Sequence, residues 1–384
     1  MSIFTSRPVL RWAVPAAAAV AVVGAGVAAK TLAVAAEPNL PPRTAAQLLV
    51  DLQTAKLDGL SGTVVERADL GLPDLGALGA LVGQEGSSNL TSLVAGKHTL
   101  RVWYSGPDKA RLALVGTNGE SDIIRNGKDL WFWDSKANTA THHVLSSDEA
   151  KAGELNNKAP DLAGNLPKTP QEAADLALKA IDPSTQVSVG RSTKIAGRDA
   201  YELNLTPRDH ASLVGQISVA IDATEHVPLR FRIYPSASDK PAFEAAFTMV
   251  SFARPDDAQF AFNPPPGTKV TEGGMGVPGL LGMVPPENAQ PDKAIQPEKK
   301  AGSEPTVIGT GWTTVIMAKL DQSTDEAPAE ISGLLGQLPK VSGSWGSGRL
   351  FTSRLATALL TDDGRVFFGP VSPEKLYEVA ASHR

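Results

Sequence analysis

Cysteine is absent from all 384 residues. That excludes disulfides, thiolate metal sites, a cysteine nucleophile and a lipid-modified N-terminal cysteine. An excess of one charge is also missing. Lys and Arg total 36 against 41 Asp and Glu, a net charge of -5 with no basic stripe, which argues against nucleic acid as a partner. The six histidines are His98, His142, His143, His210, His226 and His383, and none has metal-ligand spacing. His142 and His143 point to opposite faces if their segment is a strand, so they read as a satisfied or exposed pair rather than joint ligands.

Catalytic constellations are missing too. No G-x-S-x-G occurs, and 343–348 reads as a flexible Gly/Ser turn. The G-x-G-x-x-G over 274–279 contains Pro278 and has neither a strand before it nor a helix after it, so the dinucleotide reading fails. Asp222 and Glu225 read as turn residues. The expectation is a protein that is not an enzyme, with no cofactor and no metal.

Long apolar runs are confined to the start. Arg7 and Arg11 precede an Ala/Val-rich run over 12–29, Ala33-Val34-Ala35 gives an A-x-A pattern, and a Pro-rich polar stretch follows. This is the layout of a secretory signal peptide. The competing reading is an uncleaved anchor, since the run approaches the ~18 residues needed to span. Its small side chains favour cleavage, and either reading puts the bulk of the chain outside the cytoplasm, secreted or anchored to the outer face of the cytoplasmic membrane.

What is present is a dense run of strands. Over 97–145 the segments 98–105, 109–115, 121–125, 129–133 and 139–145 are rich in β-branched, Leu and aromatic residues. Asn118-Gly119 and Asn126-Gly127 supply hairpin turns between them, because both residue types tolerate positive φ. An up-and-down antiparallel meander follows. Before it, Thr44 and Gln47 form a capping box for a leucine-faced helix over 45–57, and 60–67 reads as a strand. The stretch 71–96 keeps Leu72, Leu75, Leu78 and Leu81 among Gly, Pro and Asp. Leucines left in water are a liability, so 70–93 is expected to fold as a lid over an apolar surface.

Beyond the meander, Thr169 and Glu172 cap a second helix over 170–181 that carries Leu176. Strands are expected at 186–192, 199–206, 212–221, 228–234 and 243–252. Residues 271–305 read as a Gly/Pro- and Lys-rich linker. A small segment, 306–384, then carries a strand over 307–319, a short helix over 330–337, a hairpin of 349–360 with 365–368, and a last helix capped at Ser372. It is expected to hold little core alone and to dock on the main domain.

The order helix, strand, long hairpin, meander, helix, second meander resembles the LolA superfamily, which includes the outer-membrane lipoprotein carrier and the RseB-type anti-sigma regulators. The residues that carry the resemblance run from Ile124-Arg125-Asn126-Gly127-Lys128 through Asp129-Leu130-Trp131-Phe132-Trp133-Asp134. Ile221-Asp222, Pro228-Leu229-Arg230-Phe231 and the closing Phe260-Ala261-Phe262-Asn263-Pro264-Pro265-Pro266-Gly267 support it.

The resemblance implies an α+β fold, a strongly curved antiparallel sheet forming an unclosed half-barrel with helices covering the concave face. The domain would occupy 37–270, after a signal peptide or anchor at 1–36, and 306–384 would be a small C-terminal β/α extension, placed like the C-terminal domain of RseB-type proteins but without their pattern. Between sheet and helices the family keeps an apolar cavity for acyl chains. The expected cavity lining and lid are Leu48, Leu52, Leu75, Leu78, Leu81, Trp103, Leu112, Leu114, Trp131, Trp133 and Leu176. The tryptophans and leucines of the strands are expected to share one apolar face, and the tryptophans either pack as core or line the cavity mouth. The implied partner is a lipid or an acylated lipoprotein, bound by a monomer that carries it; the alternative is a lipid-sensing regulator that also touches a membrane anti-sigma factor. One position departs from the carrier. Its latch arginine is replaced by Gly106 before Pro107, so the carrier's release cycle is not implied.

Overall fold

A computed structural model describes residues 38–72, 92–93, 95–117, 119–145, 182–273, 305–319 and 336–383. The N-terminal apolar run, Leu75, Leu78 and Leu81 of the expected lid, the 170–181 helix with Leu176 and the Gly-rich 274–279 lie outside these residues. Among the described residues no helix is long and apolar enough to cross a membrane.

Two sheets make up the described fold. The larger has thirteen strands. They are β1 (Leu60–Ala68), β2 (Gly96–Tyr104), β3 (Lys109–Gly116), β4 (Gly119–Asn126), β5 (Asp129–Asp134), β6 (Thr139–Val144), β7 (Thr185–Val189), β8 (Thr193–Ile195), β9 (Arg198–Pro207), β10 (Val214–Asp222), β11 (Pro228–Pro235), β12 (Phe243–Ser251) and β13 (Lys269–Glu272). Their order is β13-β6-β5-β4-β3-β2-β1-β12-β11-β10-β9-β7, with β8 paired to β9, so the sheet is open at β13 and β7. It is mixed, because β13 runs parallel to β6. The meander from β2 to β6 is antiparallel throughout, and Gly127 (φ +64°) supplies the positive φ of its tight turn.

Helix α1 (Ala45–Thr54) starts at the capping box: Gln47 N donates to Thr44 Oγ1 at 3.2 Å, and Thr44 N donates to Gln47 Oε1 at 2.9 Å. Its buried Leu48 and Leu49 pack on Tyr201, Leu203 and Ile221. Each buried leucine contributes about 1.5–3 kcal/mol. The helix stops three residues before the expected end, because the chain turns extended at Ala55 and sends Leu57 toward Leu60 and the main core cluster.

The C-terminal segment forms the second sheet, ordered β14 (Thr306–Ile308), β15 (Val315–Lys319), β19 (Arg365–Gly369), β18 (Thr357–Thr361), β17 (Gly346–Thr352) and β16 (Lys340–Gly343). The strand expected over 307–319 is two strands, split where Gly309 and Gly311 take positive φ (+82° and +62°) around a short 3-10 turn. Helix α2 (Pro373–Ser382) starts at Ser372 and covers one face, burying Leu376, Val379 and Ala380 against Val315, Trp345, Leu359 and Phe367. The segment therefore has a core of its own, contrary to the expectation from its length. It also docks. Leu213 N donates to Pro370 O at 2.8 Å, Arg354 N to Leu70 O at 2.7 Å, and Trp312 Nε1 to Thr185 Oγ1 at 2.7 Å.

Candidate functional site

Residues directly opposite one another on paired strands share a face. The register therefore sorts β1 to β5 into two sides. Val64 faces Leu100, Leu100 faces Leu114, and Val102 faces Leu112, so these form a leucine side. Trp103 faces Arg111, Arg111 faces Ile124, and Ile124 faces Trp131; Trp133 faces Asp122. The three tryptophans thus stand on the opposite side from Leu112 and Leu114, and the single shared face expected from the sequence is not formed. The four residues Ser105 to Asp108 between β2 and β3 set this register, which the strand pattern alone leaves open.

The leucine side is apolar over most of its width. One row runs His98, Glu66, Ala245, Phe231, Val219, Leu203 across six strands. At its far end Leu203 and Val219 pack with Leu48, Leu49 and Leu52 of α1. Leu112 borders the cluster of Leu60, Val64, Val102 and Phe247, and Leu114 is fully buried. The near end of the row is polar. Glu66 and His98 keep only 4% and 1% of their side chains exposed, with Oε2 and Nδ1 2.9 Å apart. Glu66 Oε1 and His98 Nε2 are buried without a hydrogen-bond partner. Burial pushes the Glu66 carboxyl above the usual carboxylate range, against the pull of His98.

The tryptophan side is sealed by the chain itself. After β12 the backbone returns across it, with Lys109 Nζ 2.8 Å from Asp257 Oδ1 and Phe260 fully buried. Phe262 lies 5.2 Å from the Trp131 ring and 5.7 Å from the Trp133 ring. Beneath this strap, Arg111 Nη2 donates to Asp122 Oδ2 at 2.7 Å and to Glu120 Oε1 at 3.3 Å, and its guanidinium sits 5.2 Å over Trp103. Asp122 has no exposed side-chain surface, and its burial, reinforced by Glu120 and opposed by Arg111, pushes its pKa up to about 7. The strap ends by joining β13 to β6. The join is held by Asn138 Nδ2 donating to Gly267 O at 3.0 Å and by His142, which lies 2.9 Å from Asp129 and 3.0 Å from Glu272. His142 also stacks on Trp131 at 4.2 Å. His143, on the other side, contacts Gly273 O at 2.9 Å.

Sequence reasoning missed Glu66 and His98. The available signal was a carboxylate at period two from Val64 and Ala68, an inward charge on an apolar strand face. Asp222 is the turn residue expected: it accepts from Thr224 N and Glu225 N and pairs with Arg198. Gly106 has φ +71° and open space where a Cβ would stand. It borders an open cleft of about 550 Å³ lined by Asp58, Ser105, Pro107, Asp108, Lys109 and Arg254. Among the described residues no group of three or more His, Asp or Glu is placed to hold a metal ion.

No protein-family model matches the chain, and no curated protein matches it. Solved structures do. The chain is similar to the MucA/MucB complex of Pseudomonas aeruginosa (14% identity, 88% of this chain and 96% of that one, TM-score 0.40). It is similar to a LolA superfamily protein from Nitrosomonas europaea (14% identity, 58% and 99%, TM-score 0.21). A third is an outer membrane lipoprotein-sorting protein domain from Vibrio parahaemolyticus (10% identity, 55% and 92%, TM-score 0.21).

Proposed function

We propose that this chain is a non-enzymatic binder or carrier of lipid, or of the acyl chains of a lipoprotein, working outside the cytoplasm. The observation that carries the reading is the apolar side of an open sheet. Its row from Ala245 to Leu203 spans four strands, and α1 packs on the end formed by β7, β9 and β10. Large apolar surfaces on unclosed sheets are kept where something apolar is to be received. Native mass spectrometry of the purified protein is the test, with lipid expected to co-purify. An apo species alone, together with no displacement of a fluorescent acyl probe, would end the reading.

A second reading is an RseB-like regulator, in which lipid is sensed and a membrane anti-sigma factor is the partner. What favours it is the place where the C-terminal sheet docks. Arg354 bonds Leu70 beside the start of the expected lid, and Trp312 bonds Thr185 just after the 170–181 segment. A carrier has no need of such contacts. Deletion of 306–384 should then abolish control of a sigma-factor reporter while lipid still co-purifies. Unchanged reporter output would leave the carrier reading alone.

A further inference from the structure

Most of the leucine side is explained by packing, but Glu66 and His98 are not. Buried polar side chains in folded proteins are almost always satisfied, and a half-satisfied network is worse than none. Here one oxygen of the carboxylate and one ring nitrogen are spent on each other, and the remaining Oε1 and Nε2 meet nothing. Their position is specific. Val64 and Leu100 precede them on the same face, and the apolar row through Ala245 and Phe231 leads away from them toward α1. Arg111 Nε and Asp122 Oδ1 are unpartnered too, but that pair lies under the strap and bonds Glu120 besides, whereas Glu66 and His98 bond only each other and face the apolar row.

The protonation chemistry fixes what could satisfy the two atoms. Burial selects a net-neutral pair. That pair is a carboxylate with an imidazolium, or a carboxylic acid with a neutral imidazole protonated on Nε2. Both forms present the same outer surface, with Oε1 as an acceptor and Nε2–H as a donor. A hydroxyl complements either atom, donating to Oε1 through its hydrogen or accepting from Nε2–H through its oxygen, and a glycerol diol carries one for each. A bare hydrocarbon complements neither, and an ester complements only the donor.

We propose that Glu66 and His98 are the polar anchor of the lipid site, taking a lipid whose linkage region carries a free hydroxyl, as a glycerol lipid does, with its acyl chain laid along the apolar row. The proposal rests on the lipid-binding reading above and narrows it to a ligand class. The fit also gives a direction to the bound molecule: hydroxyl at β1 and β2, chain end toward α1.

The test is competition against a fluorescent acyl probe bound to the full chain, using three compounds with one acyl chain. These are 1-monomyristoylglycerol, its dimethyl ether lacking both hydroxyl hydrogens, and methyl myristate. The wild type should prefer the monoglyceride over the other two by about tenfold or more, the size of one charge-assisted hydrogen bond. The volume-matched double variant E66M/H98F should bind all three alike. Equal affinities in the wild type overturn the anchor, as does a preference that survives in E66M/H98F. If that variant does not fold, the wild-type comparison of the monoglyceride with its dimethyl ether decides alone. Should none of the compounds displace the probe and no lipid co-purify, the lipid reading itself fails and the anchor with it.

Discussion

On the tryptophan side of the sheet, Arg111, Glu120 and Asp122 lie beneath a strap that the chain brings back from β12. On the leucine side, Glu66 and His98 meet only each other. Both clusters hold charge out of water and each leaves two side-chain atoms unmet, Arg111 Nε and Asp122 Oδ1 in the first and Glu66 Oε1 and His98 Nε2 in the second. Yet the first is enclosed by the returning chain and bonded to Glu120 besides, while the second lies beside an apolar row. The difference separates two uses of buried charge. Under the strap it locks one chain segment to another; on the other side the locking partner is not supplied by the described chain.

The comparison breaks most sharply at His98. The variant His98→Ala strands a buried carboxylate and should cost about 3–5 kcal/mol in urea unfolding, whereas E66M/H98F, which removes both charges at matched volume, should stay within roughly 1 kcal/mol of wild type. A mild single variant would mean that water reaches Glu66.

Asp122 tests the other side through pH. Its folded pKa of about 7 lies above the ordinary carboxylate value of 3.8, so its proton favours the folded state. This contribution is complete below pH 3.8 and is lost as pH rises toward about 7, by ~4 kcal/mol at most. In Asp122→Asn that slope should vanish from melting curves taken between pH 4 and 7. Identical slopes in the two proteins would show that Arg111 holds the carboxyl ionised throughout.

Smaller effects are expected on the strap itself. Phe262→Ala removes two ring contacts and should cost about 1–2 kcal/mol, with a red shift in tryptophan emission as Trp131 and Trp133 gain water. The smallest effect belongs to His142. Burial lowers its pKa, but the hydrogen bonds to Asp129 and Glu272 outweigh burial and leave it raised. The tie to β13 is therefore fully present below pH 6.5 and is lost as pH rises through the raised value. Amide exchange at Lys269 and Gly273, whose N–H groups bond β6, should quicken with that titration beyond its intrinsic pH dependence. In His142→Gln the extra quickening should disappear, at a cost under about 1 kcal/mol.

The meander was legible because its signals are local. Gly106-Pro107, Asn126-Gly127 and the β-branched runs between them fix turns and strands within one or two residues of the observed bounds. The capping box of α1 was equally local. Which strand residues share a side was less legible, since Trp103 and Leu112 are sorted by the turn between them. β13 carries no strand signal, and its last two residues fall within the expected linker over 271–305, because a parallel partner 130 residues away leaves no periodicity of its own. Glu66 and His98, 32 residues apart across the long leucine loop, carried a signal only once β1 and β2 were known to pair in register.

The strap has one more consequence, at the rim of the sheet. Without β13, six residues of β6 would offer a bare row of peptide groups, ending in the exposed Val144, to any strand in solution. Lys269 N and Gly273 N turn toward this rim, donating to Asn138 O and His142 O, so outward-facing peptide groups remain only at Val270 and Glu272. Two residues flanked by a lysine and ending in a glutamate are too short and too charged to seed a growing stack of sheets. The returning segment thus removes a sticky edge where the meander stops.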